Sequence, residues 1–234
     1  MELDPDLCRK ALLARDARFD GRFFVGVLTT GIYCRPVCPA RPPKAENCRY
    51  YPSAAAAQSA GFRPCLRCRP ETAPGLGAWR GASNTVSRAM SLIDQGALDE
   101  CDVDSLAGRL GVGERQLRRL FMKHLGASPI SVAQTRRVLI AKQLIHETDL
   151  PMAQVALAAG FGSVRRFNEC FRALFGRGPL ELRRGLGRSE PAGAGITLSL
   201  GYRPPYDWDA LLGFLAARAI PGVEKVADGV YRRT

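Results

Sequence analysis

At 234 residues the chain exceeds the usual size of one domain, so two or three units are expected. Its 34 Lys and Arg against 22 Asp and Glu give a formal charge of +12, which points to a polyanionic partner. No run of 18 apolar residues is present to span a membrane, and the acidic start Met1-Glu2-Leu3-Asp4 lacks the apolar region of a signal peptide. The eight cysteines are therefore expected in a reducing cytoplasm, without disulfides. The basic excess lies in residues 1–75 (12 against 7) and 84–188 (16 against 10), while residues 189–234 are balanced.

In chain order, Leu7 to Arg15 reads as a helix and Phe23 to Leu28 as an apolar strand. Thr29-Thr30-Gly31 turns the chain into Ile32-Tyr33-Cys34, after which Pro36, Pro39, Pro42 and Pro43 forbid regular structure. Tyr50-Tyr51 suggests a second strand. Ser53 caps a short helix that Gly61 stops. Thr72 to Ala82 reads as a linker.

Helical patterns follow. Val86 to Gln95 is one, and Asp104 is expected to cap the next. Gly111-Val112-Gly113 separates that helix from Glu114 to His124, which is helix-turn-helix spacing. After a long helix from Val132 to Thr148, the motif recurs. Leu117-x3-Phe121, Gly126 and Pro129 match Phe167-x3-Phe171, Gly176 and Pro179 at a shift of 50, against 49 before the turn. The two turns should thus differ by one residue. Gly185 to Gly195 reads as a second linker. A strand at Ile196 to Leu200, a helix at Asp209 to Ala219 and a strand beginning near Val223 complete the chain. The fold class is thus multidomain: a small α+β unit (1–75), an all-α unit with two helix-turn-helices (84–186) and an incomplete α+β segment (196–234).

The chemistry concentrates in Cys34-x3-Cys38 and Cys65-x2-Cys68. Two close thiol pairs separated by a loop are the spacing of a tetrahedral site, most simply Zn²⁺ held by four thiolates. Spacing alone is also compatible with a purely structural site, and it does not rank the four sulfurs. Cys8, Cys48, Cys101 and Cys170 fall outside the pairs and read as ordinary small residues. In the helical region, Leu117, Leu120 and Phe121 should face inward, turning Arg115, Gln116, Arg118 and Arg119 outward. With Phe167 and Phe171 inward, Ser163, Arg165, Arg166 and Asn168 become the second set of candidate DNA contacts.

Residues Thr29 to Cys38 and Gly61 to Cys68 resemble the zinc domain of the Ada family of DNA methyl acceptors. That resemblance implies one structural and activating zinc on Cys34, Cys38, Cys65 and Cys68. It also implies that Cys34 accepts a methyl group irreversibly from a DNA methylphosphotriester, and that Thr30, Arg35, Arg41, Arg63 and Arg67 hold the DNA backbone. The second unit is similar to the DNA-binding region of the AraC family through Leu106-Ala107, Gly111-Val112, Ser128-Pro129, Val155-Ala156 and Gly160-Phe161. Tyr202 to Trp208 and Leu212 to Arg218 resemble the opening of 3-methyladenine DNA glycosylases of the AlkA type. The catalytic part of that family is absent, so no glycosylase activity is expected. The combination implies a single-turnover repair methyltransferase that also activates transcription of an adaptive response. It would work as a cytoplasmic monomer with double-stranded DNA and RNA polymerase as partners. The competing reading is an AraC-type regulator whose zinc module only grips DNA.

Overall fold

The computed structural model describes residues 3–73, 84–184, 202 and 205–234. These fall into two compact units, one holding the described residues up to Arg184 and the other those from Tyr202 on.

The first unit opens with α1 (Pro5–Ala14), β1 (Phe24–Val27), β2 (Ile32–Cys34), β3 (Cys48–Tyr51), α2 (Ala54–Ser59) and β4 (Arg63–Pro64). Helix α1 starts two residues before its expected position. Asp4 accepts the Asp6 N–H, and Pro5 suits a first turn that needs no amide. The strands lie in the order β3-β1-β2-β4, with β1 antiparallel to both neighbours and β2 parallel to β4. Alternation along the apolar strand builds two thin cores. Phe23 and Val25 pack with Cys8, Ala11, Leu12 and Cys48. Phe24, Tyr33, Ala57 and Phe62 form the other. Gly26 has no room for a side chain, since a Cβ there would lie 2.9 Å from the rings of Phe62 and Tyr51. Ser53 caps α2 by accepting the Ala56 N–H at 3.0 Å.

Seven further helices follow in this unit: α3 (Asn84–Asp94), α4 (Ala97–Glu100), α5 (Val103–Arg109), α6 (Glu114–Leu125), α7 (Pro129–Glu147), α8 (Met152–Ala158) and α9 (Val164–Phe175). An eighth, α10 (Pro179–Arg184), closes it. The cap of α5 is Asp102, not Asp104: its Oδ1 accepts the Ser105 N–H at 2.9 Å, which lets Val103 enter the core. Helices α4 and α10 are too short to show a period in sequence. Helix α7 begins at Pro129, three residues before its apolar pattern, because Ser128 caps it. The inter-helix turns span residues 110–113 and 159–163, so they do differ by one residue. One core gathers α3 to α6 and the start of α7 around Leu117 and Phe121. A second gathers the rest of α7 with α8 to α10 around Phe167 and Phe171.

The second unit comprises α11 (Trp208–Ala216), capped by Asp207, and an antiparallel hairpin of β5 (Glu224–Ala227) and β6 (Val230–Arg233). The single strand expected from Val223 is two, because Asp228 and Gly229 both take positive φ and form a tight turn. The expected strand at Ile196 to Leu200 and the second linker lie outside the described residues. So does most of the first linker, although Thr72 belongs to a 3-10 turn over Pro70–Thr72.

Asp99 on α4 ties the two helical cores. Its carboxylate accepts from Arg136 Nη1 at 3.0 Å and Arg137 Nε at 2.7 Å, both on α7. Gly160 in the second turn has φ +84, and a Cβ there would fall 2.4 Å from Asp99 Oδ2. With both oxygens held, that carboxylate cannot swing aside. Gly160→Ala is expected to cost about 2–4 kcal/mol of unfolding free energy in urea titrations. Gly108→Ala, at an exposed helical position with open space, is expected to gain about 0.5–1 kcal/mol. Equal effects of the two substitutions would contradict this packing.

Candidate metal centre and nucleic-acid interface

The four predicted ligands meet at one corner of the sheet. Cys34 ends β2, and its neighbour Tyr33 pairs with Pro64 of the parallel strand β4, which delivers Cys65. The proline-bounded loop after Cys34 is folded back by α1. Arg9 Nη1 donates to Pro43 O at 2.7 Å and Arg15 Nη2 to Pro39 O at 3.2 Å. The Sγ atoms of Cys34, Cys38, Cys65 and Cys68 all lie within 4.8 Å of one another. A tetrahedral zinc with Zn–S of about 2.3 Å sets its sulfurs about 3.8 Å apart, so the cage fits one such ion. Soft sulfur donors in this geometry select zinc over hard cations.

The electrostatics of the cage agree. Taken as thiols, the four act strongly on one another: Cys38 is the chief cause that pushes Cys34 well up, and Cys34 chiefly draws Cys38 down. Such crowded, buried sulfurs ionise together only around a cation.

The sulfurs are not equivalent. Cys38, Cys65 and Cys68 are buried, whereas Cys34 is half-buried. The Arg35 N–H donates to Cys68 Sγ and the Arg67 N–H to Cys65 Sγ, each at 3.3 Å, and the Ala40 amide acts on Cys38. Among the described residues no backbone amide donates to Cys34 Sγ. Cys48 stays outside the cage, donating its thiol to Lys44 O at 3.3 Å within the α1 core.

Of the residues expected on the DNA backbone, Thr30, Arg41 and Arg67 are exposed and Arg63 is half-buried. Arg35 is engaged inside the protein. Its Nε donates to Asp20 Oδ1 at 2.8 Å, and its Nη1 donates to Thr72 Oγ1 at 2.6 Å and Cys68 O at 3.1 Å. A second nitrogen pairs closely with Asp20 Oδ2. Arg35 therefore braces the Cys68 side of the cage. Asp20 and Thr72 were not anticipated as its partners, since neither carries a motif.

On the helical side Arg115, Gln116, Arg118 and Arg119 are exposed along α6, as are Arg165 and Arg166 along α9, while Asn168 is half-buried. Arg118 pairs with Glu114 and Arg165 with Glu169, one turn apart on each helix. Such exposed pairs are weak. Ser163 is exposed, and its side chain caps α9 by accepting the Arg166 N–H at 3.2 Å.

Known proteins match the chain in three stretches. Residues 7–71 match the metal binding domain of Ada, residues 106–185 a helix-turn-helix domain and residues 197–234 the AlkA N-terminal domain. The chain is 48% identical over 238 residues to a probable bifunctional transcriptional activator/DNA repair enzyme AlkA of Mycobacterium tuberculosis. That alignment covers 100% of this chain and 48% of the relative, so the chain spans about half of that protein's length. It is 30% identical over 177 residues to the bifunctional transcriptional activator/DNA repair enzyme AdaA of Bacillus subtilis, covering 75% of this chain and 81% of that one. Among solved structures, the DNA methyl phosphotriester repair domain of Escherichia coli Ada is similar over 30% of this chain and 76% of that one, at 48% identity and a TM-score of 0.28. Coverage of four-fifths of the Bacillus protein at that identity makes the chain a member of the Ada family of bifunctional transcriptional activators and DNA repair enzymes.

Proposed function

We propose that Cys34 takes a methyl group from a DNA methylphosphotriester, once per chain, and that the same chain binds operator DNA and activates transcription. The observation that carries this is the inequality of the four sulfurs. Cys34 is the half-buried one, and among the described residues it receives no backbone N–H bond. Hydrogen bonds to a thiolate withdraw its electron density, so Cys38, Cys65 and Cys68 are the quieter nucleophiles. When bound, zinc keeps the sulfurs anionic at neutral pH.

Cys34 Sγ then attacks the methyl carbon in line. The S–C bond forms as the C–O bond breaks, and the electron pair leaves with a phosphodiester oxygen. That anion is stable, so no general acid is required. The product thioether does not return the methyl group, so the reaction consumes the protein. With zinc held by Cys34, Cys38, Cys65 and Cys68, the site would carry a formal charge of about −2, which would repel ordinary phosphates and spare the neutral triester. Methylation of Cys34 would leave about −1. At about 8 Å from a phosphate, one unit of charge is worth roughly 0.5–2 kcal/mol at effective dielectrics of 80 to 20. DNA affinity should therefore rise after repair.

Thr30, Arg41, Arg63 and Arg67 would hold the backbone around the lesion. Arg115, Gln116, Arg118 and Arg119 of α6, with Ser163, Arg165, Arg166 and Asn168 of α9, would meet the operator. The 19 residues of α7 span about 28 Å. That suits recognition helices on successive major-groove faces, about 34 Å apart, within one monomer. The protein is proposed to act in the cytoplasm, with RNA polymerase as its partner in activation. Among the described residues no helix is long and apolar enough to cross a membrane.

The decisive measurement is intact mass after incubation with duplex DNA carrying methylphosphotriesters. The chain should gain one methyl, and Cys34→Ala should gain none. An unmodified wild-type chain would leave the regulator whose zinc only grips DNA. Metal analysis should find one zinc per chain, lost in Cys65→Ala and kept in Cys48→Ala. Arg119→Ala should weaken binding to any duplex and reduce the log–log salt slope by about 1.

A further inference from the structure

The metal-binding module and the helix-turn-helix domain share more than a chain connection. Ala55 of α2 belongs to the core of the first helix-turn-helix. Ser53, which caps α2, also donates its hydroxyl to Leu125 O at the end of α6, at 2.7 Å. Gly126 leaves room for this approach, since a Cβ there would sit 3.3 Å from Ala56 and Pro52. Leu66, between two of the metal ligands, packs against the core of the second helix-turn-helix.

Directly after Cys68, the chain carries a charged clasp. Glu71, whose side chain is 1% exposed, accepts from Lys142 Nζ at 2.5 Å and from Arg69 Nε at 3.2 Å. The Arg69 guanidinium also pairs closely with Glu147. Lys142 is fully buried on α7. Burial pushes its ammonium below the usual lysine range, and Glu71 opposes that shift. Arg69 sits at φ 51, a conformation that non-glycine residues rarely adopt. Arg69 lies between Cys68 and Pro70, and both it and Glu71 reach side chains of α7.

We infer that the clasp of Arg69, Glu71, Lys142 and Glu147 makes helix α7, and through it both helix-turn-helices, depend on the integrity of the four-cysteine centre. The turn that presents Glu71 is anchored by Cys68. When the centre opens, Glu71 is withdrawn and Lys142 is left with an uncompensated charge in a site closed to water. Helix α7 spans both helical cores, so its loosening reaches both recognition helices. The metal centre thus acts as a structural licence for operator binding, whether or not Cys34 accepts an alkyl group.

Hydrogen exchange on the full chain, read on peptides covering α7 with and without chelator, tests this while metal analysis tracks zinc in the same samples. Zinc removal should cut protection of α7 about tenfold or more in the wild type. Glu71→Gln/Lys142→Met, which removes both buried charges, should hold α7 protection within about threefold on the same treatment. Linkage also requires the reverse effect. Glu147→Gln weakens the Arg69 arm, together with the bond from Gln143 Nε2, and leaves the Glu71–Lys142 pair intact. It should release zinc to a colorimetric chelator about fivefold faster than wild type. Unaltered exchange in zinc-free wild type, an equal loss in the double variant, or a wild-type release rate in Glu147→Gln would each overturn the inference.

Discussion

Four sulfur atoms within 4.8 Å of one another, three of them buried, cannot all be anions without a cation between them. The first module is arranged around that constraint. Its cores are thin, and much of its chain, from Arg35 to Asn47, runs without strands or long helices. The polar contacts of Arg9, Arg15 and Arg35 fold this irregular backbone over the cage. A small α+β unit of this kind gains from a metal what it lacks in buried apolar area.

The cage is also asymmetric, and the asymmetry follows from backbone direction. The turns after Cys38 and Cys65 bring the amides of Ala40 and Arg67 back onto the sulfur, and the Arg35 amide crosses to Cys68. Two residues after Cys34 the chain carries Pro36, which has no N–H to bring back onto that sulfur. The four sulfurs thereby differ in exposure and in hydrogen bonding without residues of a different type.

The helical part shows the complementary logic. Recognition helices must be polar on one face and anchored on the other, and the paired aromatic anchors Phe121 and Phe171 are both fully buried. Asp99 joins α4, α7 and the turn at Gly160, so the two motifs are not independent beads. Lys142 extends the connection to the metal module. A buried ion pair is an expensive way to gain stability, and its usefulness lies in specifying one docking geometry.

The amino-acid sequence by itself determined the cysteine cage, the two helix-turn-helices with turns one residue apart, and the outward arginines of α6 and α9. Each is written in spacings of a few residues, and local periodicity survives any tertiary arrangement. The cap at Asp102 rather than Asp104 escaped because two aspartates flank a valine, and only the valine's burial selects between them. The engagement of Arg35 with Asp20, the exposure that singles out Cys34, and the pairing of Glu71 with Lys142 across 71 positions were decided by the tertiary structure alone. These depend on which surfaces lose water against which others. That is a property of the folded chain as a whole, and a lysine among Val138, Ala141 and Ile145 on one helix looks in sequence like any solvated charge.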